Sequence, residues 1–90
     1  MNVYNFVNSN LRYPRDASKE GIEGRVYVQF IVKEDGYLDS IRILKGQLPS
    51  MNKEALRLAK LLPQPWKPGK NLQGQPAKSW YMLPVTFHLE

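Results

Sequence analysis

The side chains that could do chemistry in this chain are few, and they do not converge. Its one histidine, His88, lies two residues from the C-terminal end, with Glu90 as its titratable neighbour in sequence. A general base or a metal ligand needs a partner in reach, so His88 reads as an exposed strand residue. The carboxylates are scattered: Glu20 and Glu23 in a polar connector, Glu34 and Asp35 in a tight turn, and Glu54 on a helix, where solubility is its simplest role. Ser9, Ser18, Ser40, Ser50 and Ser79 lack a Gly-x-Ser-x-Gly setting. The glycines match neither a dinucleotide fingerprint nor a phosphate loop. The absence of cysteine removes disulfides, zinc thiolates and a thiol nucleophile. The residues point away from catalysis, cofactors and metals.

The elements that would position any other kind of site are those of one small domain, residues 1–90. A hydrophobic fraction of 42% with 23% charged residues is that of a globular chain. No apolar run reaches the roughly 20 residues of a membrane span. The net charge of +5 comes from thirteen bases against eight acids. The bases are spread along the chain, which favours a solvated basic surface over a nucleic-acid footprint.

Period and punctuation then give the order α-β-β-α-β. Asn2 can cap a helix with Val3, Phe6, Val7 and Leu11 on one side, ended by Tyr13-Pro14. Arg15 to Gly24 reads as a polar connector. Arg25 to Lys33 alternates strictly, with Val26, Val28, Phe30 and Val32 on one face. Asp35-Gly36 marks a hairpin turn into a return strand, Leu38 to Lys45. Ser50 or Asn52 can cap a second helix, Met51 to Leu62, with Met51, Ala55, Leu58, Ala59 and Leu62 as its apolar stripe. Pro63 ends it. Trp66, between prolines, reads as a lid over one end of the core, and Lys70 to Ala77 as a polar loop around Gly74. The helix crossover makes the third strand parallel to the second. The simplest sheet is therefore three antiparallel strands in the order 2-1-3, with both helices on one face: an α+β fold.

The last strand is the unusual one. Tyr81, Leu83, Val85, Phe87 and Leu89 alternate, yet Pro84 interrupts them and no Lys, Arg, Asp or Glu falls between Lys78 and Glu90. Proline belongs at a sheet edge or bulge, and an edge without charges is open to pairing with another chain. The second strand carries Asp39, Arg42 and Lys45 as ordinary edge guards. Ser79, Trp80, Tyr81, Met82, Leu83, Pro84 and Val85 are thus the candidate peptide-binding residues, with pairing over Ser79 to Leu83 before the proline. Trp80 and Met82 fall on the helix-free face with Tyr27 and Ile31, a second candidate contact surface.

The residues Tyr13-Pro14, Gly21-Ile22-Glu23-Gly24-Arg25-Val26-x-Val28-x-Phe30-x-Val32, Asp35-Gly36, Ile41-x-Ile43-Leu44, Glu54-Ala55, Trp66-x-Pro68-Gly69 and Leu83-Pro84-Val85-x-Phe87 together resemble the C-terminal domain of TonB-family energy transducers. The Trp-x-Pro-Gly and Leu-Pro-Val-x-Phe forms look most like those of Bacteroidetes-type bacteria. The resemblance implies a periplasmic domain that binds the TonB box of outer-membrane receptors as an added strand. It also implies a membrane helix, a proline-rich linker and inner-membrane proton-channel partners, all outside this chain. The family's Gln-Pro-x-Tyr-Pro segment lies near the box; its counterpart here is Asn10, Leu11, Arg12, Tyr13 and Pro14, lacking the Gln and the first Pro, so the resemblance adds Asn10, Leu11, Arg12 and Tyr13 to the candidate peptide-binding residues. Alternatives from other classes are a homodimerisation module using the same edge and a sensor domain of a larger envelope protein.

Overall fold

The computed structural model describes residues 2–90. Its elements are α1 (Val3–Asn10), α2 (Arg15–Lys19), β1 (Gly24–Val32), β2 (Leu38–Lys45), α3 (Pro49–Leu61), β3 (Gly69–Lys70), β4 (Pro76–Ala77) and β5 (Ser79–Phe87). The main sheet has the order β2-β1-β5, and both pairings are antiparallel. This is the expected 2-1-3 sheet, with β5 as the third strand.

The alternation in β1 and β5 decides which face is covered. Val26, Val28, Phe30 and Val32 of β1 and Leu83, Val85 and Phe87 of β5 are buried on one face. Against them lie Met51, Ala55, Leu58, Ala59 and Leu62 from α3 and its C-cap, Val7 of α1 and Ala17 of α2. Ile41 and Ile43 are only partly buried beside this core. Asn2 caps α1 as expected, its side-chain oxygen accepting from the Tyr4 and Asn5 amides.

Three local expectations need correction. The connector contains a helix, α2, which sequence periodicity missed because it is only five residues long. Its stop signal is legible in retrospect. The Ile22 amide donates to the Ala17 carbonyl and the Gly21 amide to the Ser18 carbonyl, with Gly21 at φ +68°, the paired closure that favours glycine. Second, α3 starts at Pro49, and neither Ser50 nor Asn52 caps it. Proline is favoured in a first helical turn, where its missing amide costs nothing. The Ser50 hydroxyl donates to Asp16 Oδ1, tying α3 to α2, and Asn52 Oδ1 accepts from the Gln47 amide. Third, the Lys70–Ala77 loop is a short hairpin, β3 against β4, forming a sheet of its own.

The two edges of the main sheet differ. β1 and β5 pair without interruption over nine residues, from Gly24 opposite Phe87 to Val32 opposite Ser79. The β1–β2 ladder is broken twice, between Tyr27 and Val28 and between Gln29 and Ile31. The second break coincides with Ser40 at φ +52°. Bulges twist an edge strand out of the plane another strand would need. β2 is therefore closed to pairing by shape as well as by charge.

The turn between β1 and β2 holds the lid in place. The Gly36 amide donates to the Lys33 carbonyl, and the Lys33 amide to the Tyr37 carbonyl. The Gly36 carbonyl accepts from the Trp66 amide at 2.7 Å. Trp66 then lies edge-on to Phe30 and Tyr81, at 5.3 and 5.1 Å between ring centroids. This is the lid expected from the prolines around it. Gly36 is buried with φ +86°, and a Cβ there would stand 2.1 Å from the Trp66 carbonyl oxygen. Gly36→Ala is expected to destabilise the domain by about 2 kcal/mol or more. Urea unfolding checks it: the midpoint should fall, with the slope unchanged.

Candidate peptide-binding edge

Hydrogen-bond phase determines what β5 shows to solvent. In a central strand, successive residues direct their backbone groups to opposite neighbours. The Lys33 amide bonds to β2's side, at Tyr37. Odd-numbered residues of β1 therefore serve β2, and even-numbered ones serve β5. Val26, Val28, Phe30 and Val32 bond inward to Val85, Leu83, Tyr81 and Ser79. Tyr27 opposite Pro84 is then a non-bonded pair. The missing amide of Pro84 points outward, so the inner ladder loses nothing. The free edge presents the amides of Trp80, Met82 and Thr86 and the carbonyls of Trp80, Met82, Pro84 and Thr86. Among the described residues none of these groups has a backbone partner outside the ladder.

Beside the C-terminal end of this edge lies a groove of about 550 Å³. Tyr4, Val7, Asn8 and Leu11 of α1 and its C-cap line one wall, and Pro84, Thr86, His88 and Glu90 line the other. The edge is thus open and flanked by a helix. A strand added about 4.8 Å from β5 would meet α1 only where it continued past Pro84.

The structure brings the sequence-chosen residues together unevenly. Ser79, Trp80, Tyr81, Met82, Leu83, Pro84 and Val85 are all on β5, but Leu83 and Val85 are buried in the core. Tyr81 stacks on Phe30. Trp80 and Met82 are exposed on the helix-free face, where the Arg42 guanidinium sits over the Trp80 ring at 5.7 Å. Arg42 also donates to Gln29 Oε1, so this face already has internal partners.

In the second segment only Leu11 lines the groove. Tyr13 lies edge-on to Phe87 at 5.6 Å, and its hydroxyl donates to the Ile22 carbonyl. Burial first, and then the Glu23 charge, raises the Tyr13 phenol above its ordinary range. The Asn10 carbonyl accepts from Arg57 Nη2, and the Arg12 amide donates to Glu54 Oε2 at 2.6 Å.

That last contact corrects the reading of Glu54 as a solubilising residue. Its side chain is buried, and Arg57 Nε and Nη2 each donate to it at 2.7 Å. The pair holds the end of α1 against α3. Sequence missed it because the partner amide is 42 residues away. Burial pushes the Glu54 carboxyl up, but the Arg57 hydrogen bond, the Arg12 amide and both guanidinium charges outweigh it, leaving it below the usual range. The bond to Glu54 raises Arg57 in turn. His88 likewise has a partner not foreseen: its Nδ1 lies 2.6 Å from Glu23 Oε2, which also accepts from the Leu89 amide.

A carboxyl whose folded pKa is depressed contributes stability above its unfolded pKa, and that contribution is lost as pH falls through the folded value. Stability should therefore decline below the ordinary glutamate range, and Glu54→Gln should flatten that decline. Glu54→Ala is expected to cost about 2–3 kcal/mol at neutral pH, from the unpaired guanidinium and amide it leaves. Thermal unfolding across pH reads both.

Among the described residues no group of His and acidic side chains could hold a metal, and no helix is long and apolar enough to cross a membrane. The comparisons with known proteins agree with the fold. The family model described as Gram-negative bacterial TonB protein C-terminal matches residues 9–89. Two curated relatives, Protein TonB from two strains of Helicobacter pylori, are each 34% identical over 70 residues, which cover 72% of this chain and 25% of theirs. The chain thus spans about a quarter of their length. Two NMR solution structures of Helicobacter pylori TonB-CTD superpose with TM-scores of 0.70 at 27% identity, covering 98% and 96% of this chain and 78% and 88% of those. The chain belongs to the TonB C-terminal domain family.

Proposed function

We propose that this chain is the periplasmic, receptor-facing domain of a TonB-like energy transducer. It captures the TonB-box segment of outer-membrane receptors by strand addition to β5. In the full protein an N-terminal membrane helix and inner-membrane proton-channel partners, both beyond this chain, supply the force. The observation that carries the reading is the free β5 edge, with outward amides at Trp80 and Met82; the helix-lined groove adjoins its far end, from Pro84 on.

The physics suits the task. Main-chain hydrogen bonds give register and affinity with little demand on partner sequence, and side-chain contacts add selectivity. One transducer can then serve many receptors. The bonded stretch is Ser79 to Leu83, because Pro84 offers the partner a carbonyl but no amide. Asn10, Arg12 and Tyr13 act by fixing α1 and its exit rather than by touching the peptide, whereas Leu11 lines the groove.

Titration of a receptor N-terminal peptide should shift the amides of Ser79 to Leu83 first. Shifts centred on Asp39 to Lys45 would place the partner on the wrong edge, and continuous pairing through Phe87 would remove the limit set by Pro84. Met82→Pro provides a sharper test. Its lost amide faces outward, so the fold should survive while peptide affinity falls roughly five- to tenfold. Leu83→Pro removes an inward bond and should unfold the sheet. A second copy of the chain is the competing occupant of this edge. Sedimentation over a concentration series identifies it, because a dimer would persist without peptide and Met82→Pro would dissolve it.

A further inference from the structure

Net charge is unequally distributed along the chain. Before Ala55 eight bases face seven acids; from Ala55 to Leu89 there are five bases and no acid. Three of these bases, Lys67, Lys70 and Lys78, are exposed on or at the root of the β3–β4 hairpin. At its tip Leu72 is 101% exposed, so it touches nothing in the folded domain. No residue from Pro63 to Met82 is buried. Leucine is the most apolar choice at a turn position where Asn, Gly or Ser would serve.

The turn at the tip is held by its own hydrogen bonds. The Asn71 amide donates to the Gln75 carbonyl and the Gly74 amide to the Asn71 carbonyl. Asn71 Oδ1 accepts from the Gln73 and Gln75 amides at 2.9 and 3.0 Å, and Asn71 Nδ2 donates to Gln75 Oε1. Four of the five amides from Asn71 to Gln75 thus have partners within the hairpin, which fixes its shape, and the Leu72 amide faces outward without one.

From the fully exposed apolar tip and the lysines behind it, we infer that the hairpin is a membrane-surface anchor. Leu72 enters the headgroup region of an anionic phospholipid layer, and Lys67, Lys70 and Lys78 meet the lipid phosphates. A convex tip suits a deformable bilayer, whereas a protein partner would need a matching socket. Ala77 runs through Lys78 into Ser79, so docking would hold the start of β5 beside the lipid surface. The inference does not rest on the peptide reading, since Leu72 and the lysines take no part in the β5 ladder.

The absence of cysteine makes Leu72→Cys a single attachment point for an environment-sensitive dye. Its emission should shift to the blue on phosphatidylcholine vesicles that contain phosphatidylglycerol, and not on phosphatidylcholine alone. Co-sedimentation of the unlabelled chain should weaken about tenfold or more for Leu72→Asp and about fivefold for Lys70→Gln, with thermal stability unchanged in both. No shift on anionic vesicles overturns the proposal. So does co-sedimentation indifferent to Leu72→Asp, which would mean diffuse electrostatic attraction. A shift of equal size on soluble poly-glutamate would assign the hairpin to an acidic protein surface and overturn it too.

Discussion

The structure depends on the way β1 divides its backbone groups between two neighbours. A central strand has one set of amides and carbonyls for each side, alternating by residue. The turn at Gly36 sets the phase, because the Lys33–Tyr37 bond commits the odd residues to β2. The rest of the ladder follows. Pro84 then falls at a position where its missing amide costs β5 nothing internally. Shifted by one residue, the same proline would break the ladder and place the apolar side chains of β5 in solvent. Turn, register, core and free edge are one constraint.

The helices are held to that sheet by two unlike means. α3 is held by apolar burial along a continuous stripe. α1 is eight residues long, too short to be stable alone, and is tied at its exit by Glu54, Arg57, the Asn10 carbonyl and the Arg12 amide. A charged cluster in this place resists sliding, because a displaced helix would strand a buried carboxylate. The position of α1 matters because it forms one wall of the groove beside β5. The lid does similar work at the other end, where Trp66 bridges the Gly36 turn and the Phe30–Tyr81 stack.

The surface divides into regions of different chemistry. β2 is charged and bulged, β5 is uncharged and straight along its free edge, and the hairpin is cationic with an apolar end. Hydrogen-bond phase governs the β5 edge, and the missing acids after Glu54 govern the hairpin. Both features lie in the last third of the chain, where Lys78 alone separates β4 from β5.

Much of this was legible in the residue order. The period of two in β1 and β5, the Asp-Gly turn and the crossover through α3 determine the sheet order, because handedness and pattern leave few alternatives. The lack of charge along Ser79 to Leu89 and the proline within it mark β5 as an edge. What the order of residues could not contain is contact across distance. The Arg12 amide finds Glu54, Glu23 finds His88, and Asp16 finds Ser50, each pair separated by more than thirty residues and carrying no local signal. The two bulges in β2 arise from counting mismatch against β1. Which way Pro84 faces is likewise a property of register, and register exists only once two strands have met.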